Sequence, residues 1–87
     1  IQLLDVRTDE EYNAYHLAGT MHVNINDPKF REKASALDKT KPVLVYCLAG
    51  GRSARAAQAL VDVGFTSIIN MQDGIGGWTK SGLPVEE

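Results

Sequence analysis

Cys47-Leu48-Ala49-Gly50-Gly51-Arg52-Ser53 carries the strongest chemical signal in the chain. A single thiol stands directly after the β-branched, apolar run Val43-Leu44-Val45-Tyr46. Two glycines follow, then an Ala-rich helical pattern. Glycines let successive backbone N–H groups turn inward around a concavity, which makes an anion nest. A helix start adds free amides and the positive end of its dipole. Arg52 adds a permanent cation, and Arg55 a second one turn on. All of these favour a thiolate. In such settings a cysteine pKa falls from about 8.5 to somewhere in the range of about 3.5–7.5. The chemistry implied is nucleophilic attack by Cys47 on a species that carries negative charge. Leu48, Ala49, Gly50, Gly51, Arg52 and Ser53 are the candidate substrate-binding residues, since their amides and one side chain would cradle that anion. A lone cysteine is more often a small buried hydrophobe. The glycines, the arginine and the strand-to-helix setting argue against that here. Two enzyme classes use such a loop: those that move sulfur and those that cleave phosphate esters.

The elements that position this loop follow from pattern. Ile1–Val6 reads as a buried strand. Thr8-Asp9-Glu10-Glu11 has the T-x-x-E form of a capping box and starts a helix that runs to about Tyr15. Met21–Ile25 alternates as a second strand. Asp27-Pro28 reads as a helix cap followed by a proline at the first helical position. Phe30, Ala34 and Leu37 then share one helical face. Val43–Cys47 is continuous and apolar, as a strand covered on both sides should be. A helix from about Arg52 to Val63 follows and closes at Gly64. Ser67–Met71 is a fourth strand, and Ile75–Lys80 a short last helix ended by Gly82 and Pro84. Strands alternating with helices predict an α/β layered fold with a mostly parallel sheet of four strands, flanked by helices. Ligands in such sheets bind beyond the carboxyl ends of the strands. Cys47 stands at such an end.

Composition narrows the classes. The 87 residues fit one domain. Lys plus Arg is 9 and Asp plus Glu is 11, so no basic excess points to nucleic acid. The longest apolar stretch, Val43–Ala49, is far short of the roughly 20 residues of a membrane span. One cysteine excludes an internal disulfide framework and a multi-thiolate metal site. Neither a metal nor a cofactor is expected. The chain opens at Ile1, not Met, and runs straight into apolar residues, so it reads as a fragment with a possible fused or partner domain upstream. The compartment stays open.

Several co-linear segments resemble one family, the rhodanese homology domain. Leu3-Leu4-Asp5-Val6-Arg7 with Glu10-Glu11-Tyr12 is similar to its opening strand and helix. His16-Leu17-Ala18-Gly19-Thr20 is similar to its GHIPGA segment. Pro42–Cys47 with Gly50, Arg52, Ser53 and Ala54 resembles its active-site strand and loop. Gly64-Phe65, Asn70, Gly74-Ile75, Trp78 and Gly82-Leu83-Pro84-Val85 resemble its closing third. The resemblance spans nearly all of residues 1–87 and implies a single three-layer rhodanese-like domain. It also implies that the strand and helix that usually precede the Asp5-Val6-Arg7 strand are lacking here. Active members of the family are sulfurtransferases. Cys47 would take a sulfane sulfur from a small anionic donor such as thiosulfate, become a persulfide, and pass the sulfur to a thiol or cyanide. The alternative is a non-catalytic or sulfur-carrier module of a larger protein or complex. Phosphatase or arsenate reductase chemistry fits less well. Only four residues separate Cys47 from Arg52, whereas cysteine phosphatases resemble one another in a C-x5-R loop, and no carboxylic acid stands in the loop to protonate a leaving alcohol.

The remaining polar residues read as structural. His16 is expected to pin the loop after the first helix through Asp5 or backbone. His22, where the family often has Asn, reads as a packed or surface residue. Tyr15 and Ala18 are further departures, at positions where the family often has Gly and Pro. Asp5 and Arg7 are expected to pair with Glu11 or a neighbouring loop. Trp78 is expected in the core with Ile75 and Phe65, or on the pocket floor.

Overall fold

Four strands alternate with four helices in the computed structural model, which describes Ile1–Glu87. The elements are β1 (Gln2–Asp5), α1 (Asp9–Ala14), β2 (Thr20–His22), α2 (Phe30–Ala34), β3 (Val43–Tyr46), α3 (Gly51–Asp62), β4 (Ile68–Asn70) and α4 (Gly74–Lys80). The sheet order is β2-β1-β3-β4, and every pairing is parallel. No helix is long and apolar enough to cross a membrane.

Strand alternation decides which layer each side chain joins. Leu4, Val6, Val43 and Val45 turn to one face and pack with Phe30 and Ala34 of α2 and Ala56, Ala59 and Leu60 of α3. The alanines let α3 lie close to the sheet. Tyr46 turns to the opposite face and packs with Leu17 and Ile75, flanked by Tyr15, Met71, Trp78 and Val85. The sheet is thus covered on both faces, as the α/β pattern predicts. Full burial of each large aliphatic side chain contributes roughly 1.5–3 kcal/mol.

Some boundaries differ from the sequence reading. β2 ends at His22 and not at Ile25. The amides of Val23 and Ile25 still bond the carbonyls of Asp5 and Val6, but Asn24 then turns the chain through its own side chain, which accepts from Asn26 N at 2.9 Å. α2 begins at Phe30 and not at Pro28. The Asp27 carboxylate closes a tight turn by accepting from Lys29 N at 2.8 Å, so it does not cap the helix itself. Trp78 and Phe65 belong to different clusters on opposite faces of the sheet, so the expected Trp78–Phe65 core does not form. Trp78 instead donates its indole N–H to Pro84 O at 2.8 Å.

One polar pair sits inside the fold. Asp5 and Arg7 are 0% and 1% exposed. Arg7 Nη2 donates to Asp5 Oδ2 at 2.8 Å and to Tyr15 O at 2.6 Å, while Arg7 Nε bonds both carboxylate oxygens at 3.1 Å. The guanidinium also lies over the rings of Tyr15 and Tyr46. Asp5 and Arg7 therefore pair with each other and not with Glu11. Removing one member of such a pair strands a buried charge, which costs about 3–5 kcal/mol. Asp5→Ala should therefore lower unfolding free energy by about that amount in urea titration. A loss below about 1 kcal/mol would show that the pair is not a structural requirement.

Candidate active site

Cys47 is the first residue after β3, and β3 lies beside β1. From β1 the chain crosses to β2 on one side, whereas β3 leads to β4 on the other. This is a topological switch point, where loops part and leave a crevice.

The loop after Cys47 is shaped from behind by α4. Ile75 N donates to Cys47 O at 2.9 Å, and Gly76 N donates to Leu48 O at 3.0 Å. A trans peptide directs its C=O and N–H to opposite sides. With these two carbonyls held toward α4, the amides of Leu48 and Ala49 face the other way. Gly50 then takes a left-handed φ of 102° and delivers its own N–H to Cys47 Sγ at 3.0 Å. Close approach dictates glycine at several positions, at Gly50 and Gly74 most strictly. A Cβ on Gly50 would strike the Gln72 carbonyl, and one on Gly74 would strike the carbonyls of Cys47 and Leu48. Gly51 differs: it is the first residue of α3, and a Cβ there would meet open space. Only one of the two loop glycines is therefore needed for the turn.

The thiol is 1% exposed. That burial pushes its pKa up. The Gly50 N–H bonds the sulfur, and the Ser53 hydroxyl and the nearby amides of Ser53 and Ala49 add to its pull, so together they prevail and Cys47 ionises below its ordinary range. Ser53 is fully buried. Its Oγ lies 3.5 Å from Cys47 Sγ, 3.1 Å from Gly50 O and 2.6 Å from Asn70 Oδ1. Leu48 and Ala49 are exposed at the rim.

Arg52 has a partner that the sequence did not foretell. Its guanidinium grips Glu11 of α1 with Nη1–Oε1 at 2.6 Å and Nη2–Oε2 at 3.0 Å. Glu11 also serves the capping box, accepting from Thr8 N at 3.2 Å while Thr8 Oγ1 accepts from Glu11 N at 3.3 Å. The Arg52 charge is thus balanced, and the nearest bonds on the sulfur come from amides and a hydroxyl. Arg55 is exposed and lines a separate cleft with Ile25, Asp27 and Arg31. The histidines bond elsewhere. His16 Nδ1 lies 2.9 Å from Tyr12 O, and His22 Nε2 lies 2.8 Å from Arg7 O. Both rings stack on Tyr12, at centroid distances of 4.0 and 4.4 Å.

A family model described as the rhodanese-like domain matches residues 1–81. The chain belongs to the rhodanese-like domain family. Among curated relatives, thiosulfate sulfurtransferase GlpE of Coxiella burnetii is 37% identical, over 90% of this chain and 71% of that protein. Thiosulfate sulfurtransferase 16, chloroplastic, of Arabidopsis thaliana is 33% identical, over 95% of this chain and 78% of its own length. Among solved structures, the Rhodanese_3-like domain of the Anabaena Alr3790 protein superposes with a TM-score of 0.89 at 28% identity, covering 100% of this chain and 99% of that one. A rhodanese-related protein from Thermoplasma volcanium gives a TM-score of 0.85 at 33% identity, covering 97% and 81%.

Within this rhodanese-like domain, three site contributors escaped a reading by function. Glu11 carries a visible signal, but that signal is for capping. Asn70 stood out only as part of a motif. The α4 amides that hold the loop carbonyls leave no side-chain trace, although the Gly74 and Gly76 spacing is consistent with backbone contact.

The Glu11 clamp has a pH signature. The Arg52 hydrogen bonds hold the Glu11 carboxyl down at about 2, against an ordinary 4.5. The folded-state value lies below the unfolded one, so the clamp favours folding above pH 4.5 and fades as pH falls toward about 2. The stability difference between the wild type and Glu11→Gln should therefore be full at neutral pH and shrink across that window. Denaturant titrations at stepped pH would measure it. A difference that stayed constant down to pH 2 would show that the Glu11 charge is not what holds Arg52.

Proposed function

We propose that this domain is a sulfurtransferase that works through a persulfide on Cys47. The observation that carries the reading is the Gly50 N–H bond to Cys47 Sγ inside a loop whose amides converge on the sulfur. A thiolate there attacks the outer sulfur of a small anionic donor such as thiosulfate. A bond forms between Cys47 Sγ and that sulfur, the donor's S–S bond breaks, and sulfite leaves with the electron pair. The extra sulfur now carries the negative charge, and the inward amides are placed to stabilise it. An acceptor thiophile then attacks the outer sulfur. With cyanide the product is thiocyanate, and Cys47 returns as the thiolate; with a thiol the product is the acceptor's persulfide.

Site geometry supports the donor class. Cys47 is almost wholly covered, so a donor must present a slim reactive end. The ring from Cys47 to Arg52 holds only Leu48, Ala49, Gly50 and Gly51 between its ends. A tight ring suits one added sulfur atom better than a phosphoryl group with three equatorial oxygens. The acceptor is a thiol or cyanide, since each carries a soft nucleophile small enough to follow the donor into the same opening.

A thiosulfate:cyanide assay on the wild type and on Cys47→Ser tests this reading. The wild type should turn over with parallel double-reciprocal lines, the sign of two successive half-reactions. Cys47→Ser should fold normally by circular dichroism and fall to background. Aryl phosphates should not be hydrolysed. Turnover by Cys47→Ser, or Cys47-dependent phosphate hydrolysis, would contradict the reading. A folded wild type with no sulfur transfer would point to a module that only carries sulfur or binds a partner.

A further inference from the structure

The hydrogens around Ser53 do not balance in one arrangement for both ionisation states of Cys47. Ser53 Oγ carries one hydrogen and can accept from others. Three groups lie within reach: Asn70 Oδ1 at 2.6 Å, Gly50 O at 3.1 Å and Cys47 Sγ at 3.5 Å. While Cys47 is a thiol, the count closes. The S–H donates to Ser53 Oγ, and the hydroxyl hydrogen goes to Asn70 Oδ1. Once Cys47 loses its proton, the sulfur only accepts. The hydroxyl must then turn its hydrogen to the sulfur, and Ser53 Oγ would face the Asn70 oxygen at 2.6 Å with no hydrogen between them. Two oxygens that close repel each other.

An asparagine can resolve this, because its amide presents an acceptor at one end and two donors at the other. Ser53 is the only side chain that bonds the Asn70 amide, so no second partner fixes which end faces inward. We propose that Asn70 is a positioning residue whose amide turns its NH2 toward Ser53 when Cys47 is ionised, which frees the Ser53 hydroxyl to donate to the sulfur. The relay runs from β4 through the buried first turn of α3 to the end of β3. Asn70 acts on the sulfur only through Ser53. The charged groups around the loop do not perform this task. Arg52 is held by Glu11, and Arg7 is held by Asp5. Asp73, just before α4, is exposed. The inference rests on Cys47 acting as a thiolate, but not on sulfur transfer itself.

The test reads the thiolate directly. The Cys47 pKa is measured from the pH dependence of its ultraviolet absorbance and of iodoacetamide alkylation. Wild type, Asn70→Ala, Asn70→Asp, Ser53→Ala and the two Ser53→Ala double variants are compared. Asp is nearly isosteric with Asn but, when ionised, only accepts, so it locks the hydroxyl hydrogen away from the sulfur. Asn70→Ala and Asn70→Asp should each raise the Cys47 pKa, Asp by about one unit or more, which is roughly a tenfold loss of thiolate below the midpoint. In the Ser53→Ala background the Asn70→Ala effect should vanish and the Asn70→Asp effect should shrink to the part due to its charge alone. In the wild type the Asn70 side-chain NH2 signals in NMR should move with the Cys47 midpoint. An unchanged pKa in Asn70→Asp would overturn the proposal. So would effects that are additive with Ser53→Ala, since Asn70 would then act by another route. Should Asn70→Ala fail to fold, the Asp pair of variants carries the same comparison. A thiosulfate:cyanide assay on the wild type runs in parallel. Its failure alone would remove the sulfurtransferase reading and leave the relay standing.

Discussion

Two backbone carbonyls set the geometry of the whole site. The oxygens of Cys47 and Leu48 are held by the amides of Ile75 and Gly76 at the start of α4. This contact satisfies orphan donors that a helix start would otherwise expose. It also fixes two peptide planes so that their N–H groups point into the cradle. The approach is so close that Gly74 cannot carry a side chain. The second half of the chain thus shapes a loop whose residues lie entirely in the middle. α3, Gly50 and Ser53 complete a ring that has already been oriented from outside it.

Charge around the ring is handled by pairing. Asp5 and Arg7 neutralise each other inside the fold at the end of β1. Glu11 and Arg52 do the same between α1 and the start of α3. The sulfur is left to the Ser53 hydroxyl and to fixed dipoles, the loop amides and the positive end of α3. The fixed dipoles are preorganised and need little rearrangement when charge appears. They also discriminate less by charge than a free arginine would, which suits the proposed persulfide cycle, in which the sulfur would be negative before and after gaining its second atom. Tyr46 shows the same reliance on burial: it is fully covered, and its phenol is pushed up to about 12, so it stays neutral beside Asp5.

The sequence was most informative where the relevant physics is local. The Thr8–Glu11 capping box formed as the T-x-x-E spacing implied. The apolar run of β3, the Ala-rich α3 and the stop at Gly64 lie within a residue or so of their expected places. The parallel four-stranded sheet follows from alternation, which a short chain displays clearly. What failed was non-local or competitive. Glu11 and Arg52 are 41 residues apart, and nothing at either position names the other. Asp27 had two possible duties, and the tight turn to Lys29 prevailed over the helix cap. Trp78 and Phe65 both look like core residues, but a sheet has two faces, and hydrophobicity does not say which one. The sequence reads Gly50 and Gly51 together as the turn formers of the loop, yet of the two only Gly50 takes the left-handed turn.

The fold holds one buried sulfur against the Gly50 amide and the Ser53 hydroxyl, and the proposed reading requires that sulfur to gain one atom. Intact-protein mass spectrometry tests that directly. The domain is incubated with excess thiosulfate, freed of small molecules and weighed, then exposed to cyanide and weighed again. The account predicts a gain of one sulfur atom per chain, absent in Cys47→Ser and removed by cyanide. No gain in the folded wild type, or an equal gain in Cys47→Ser, would contradict it.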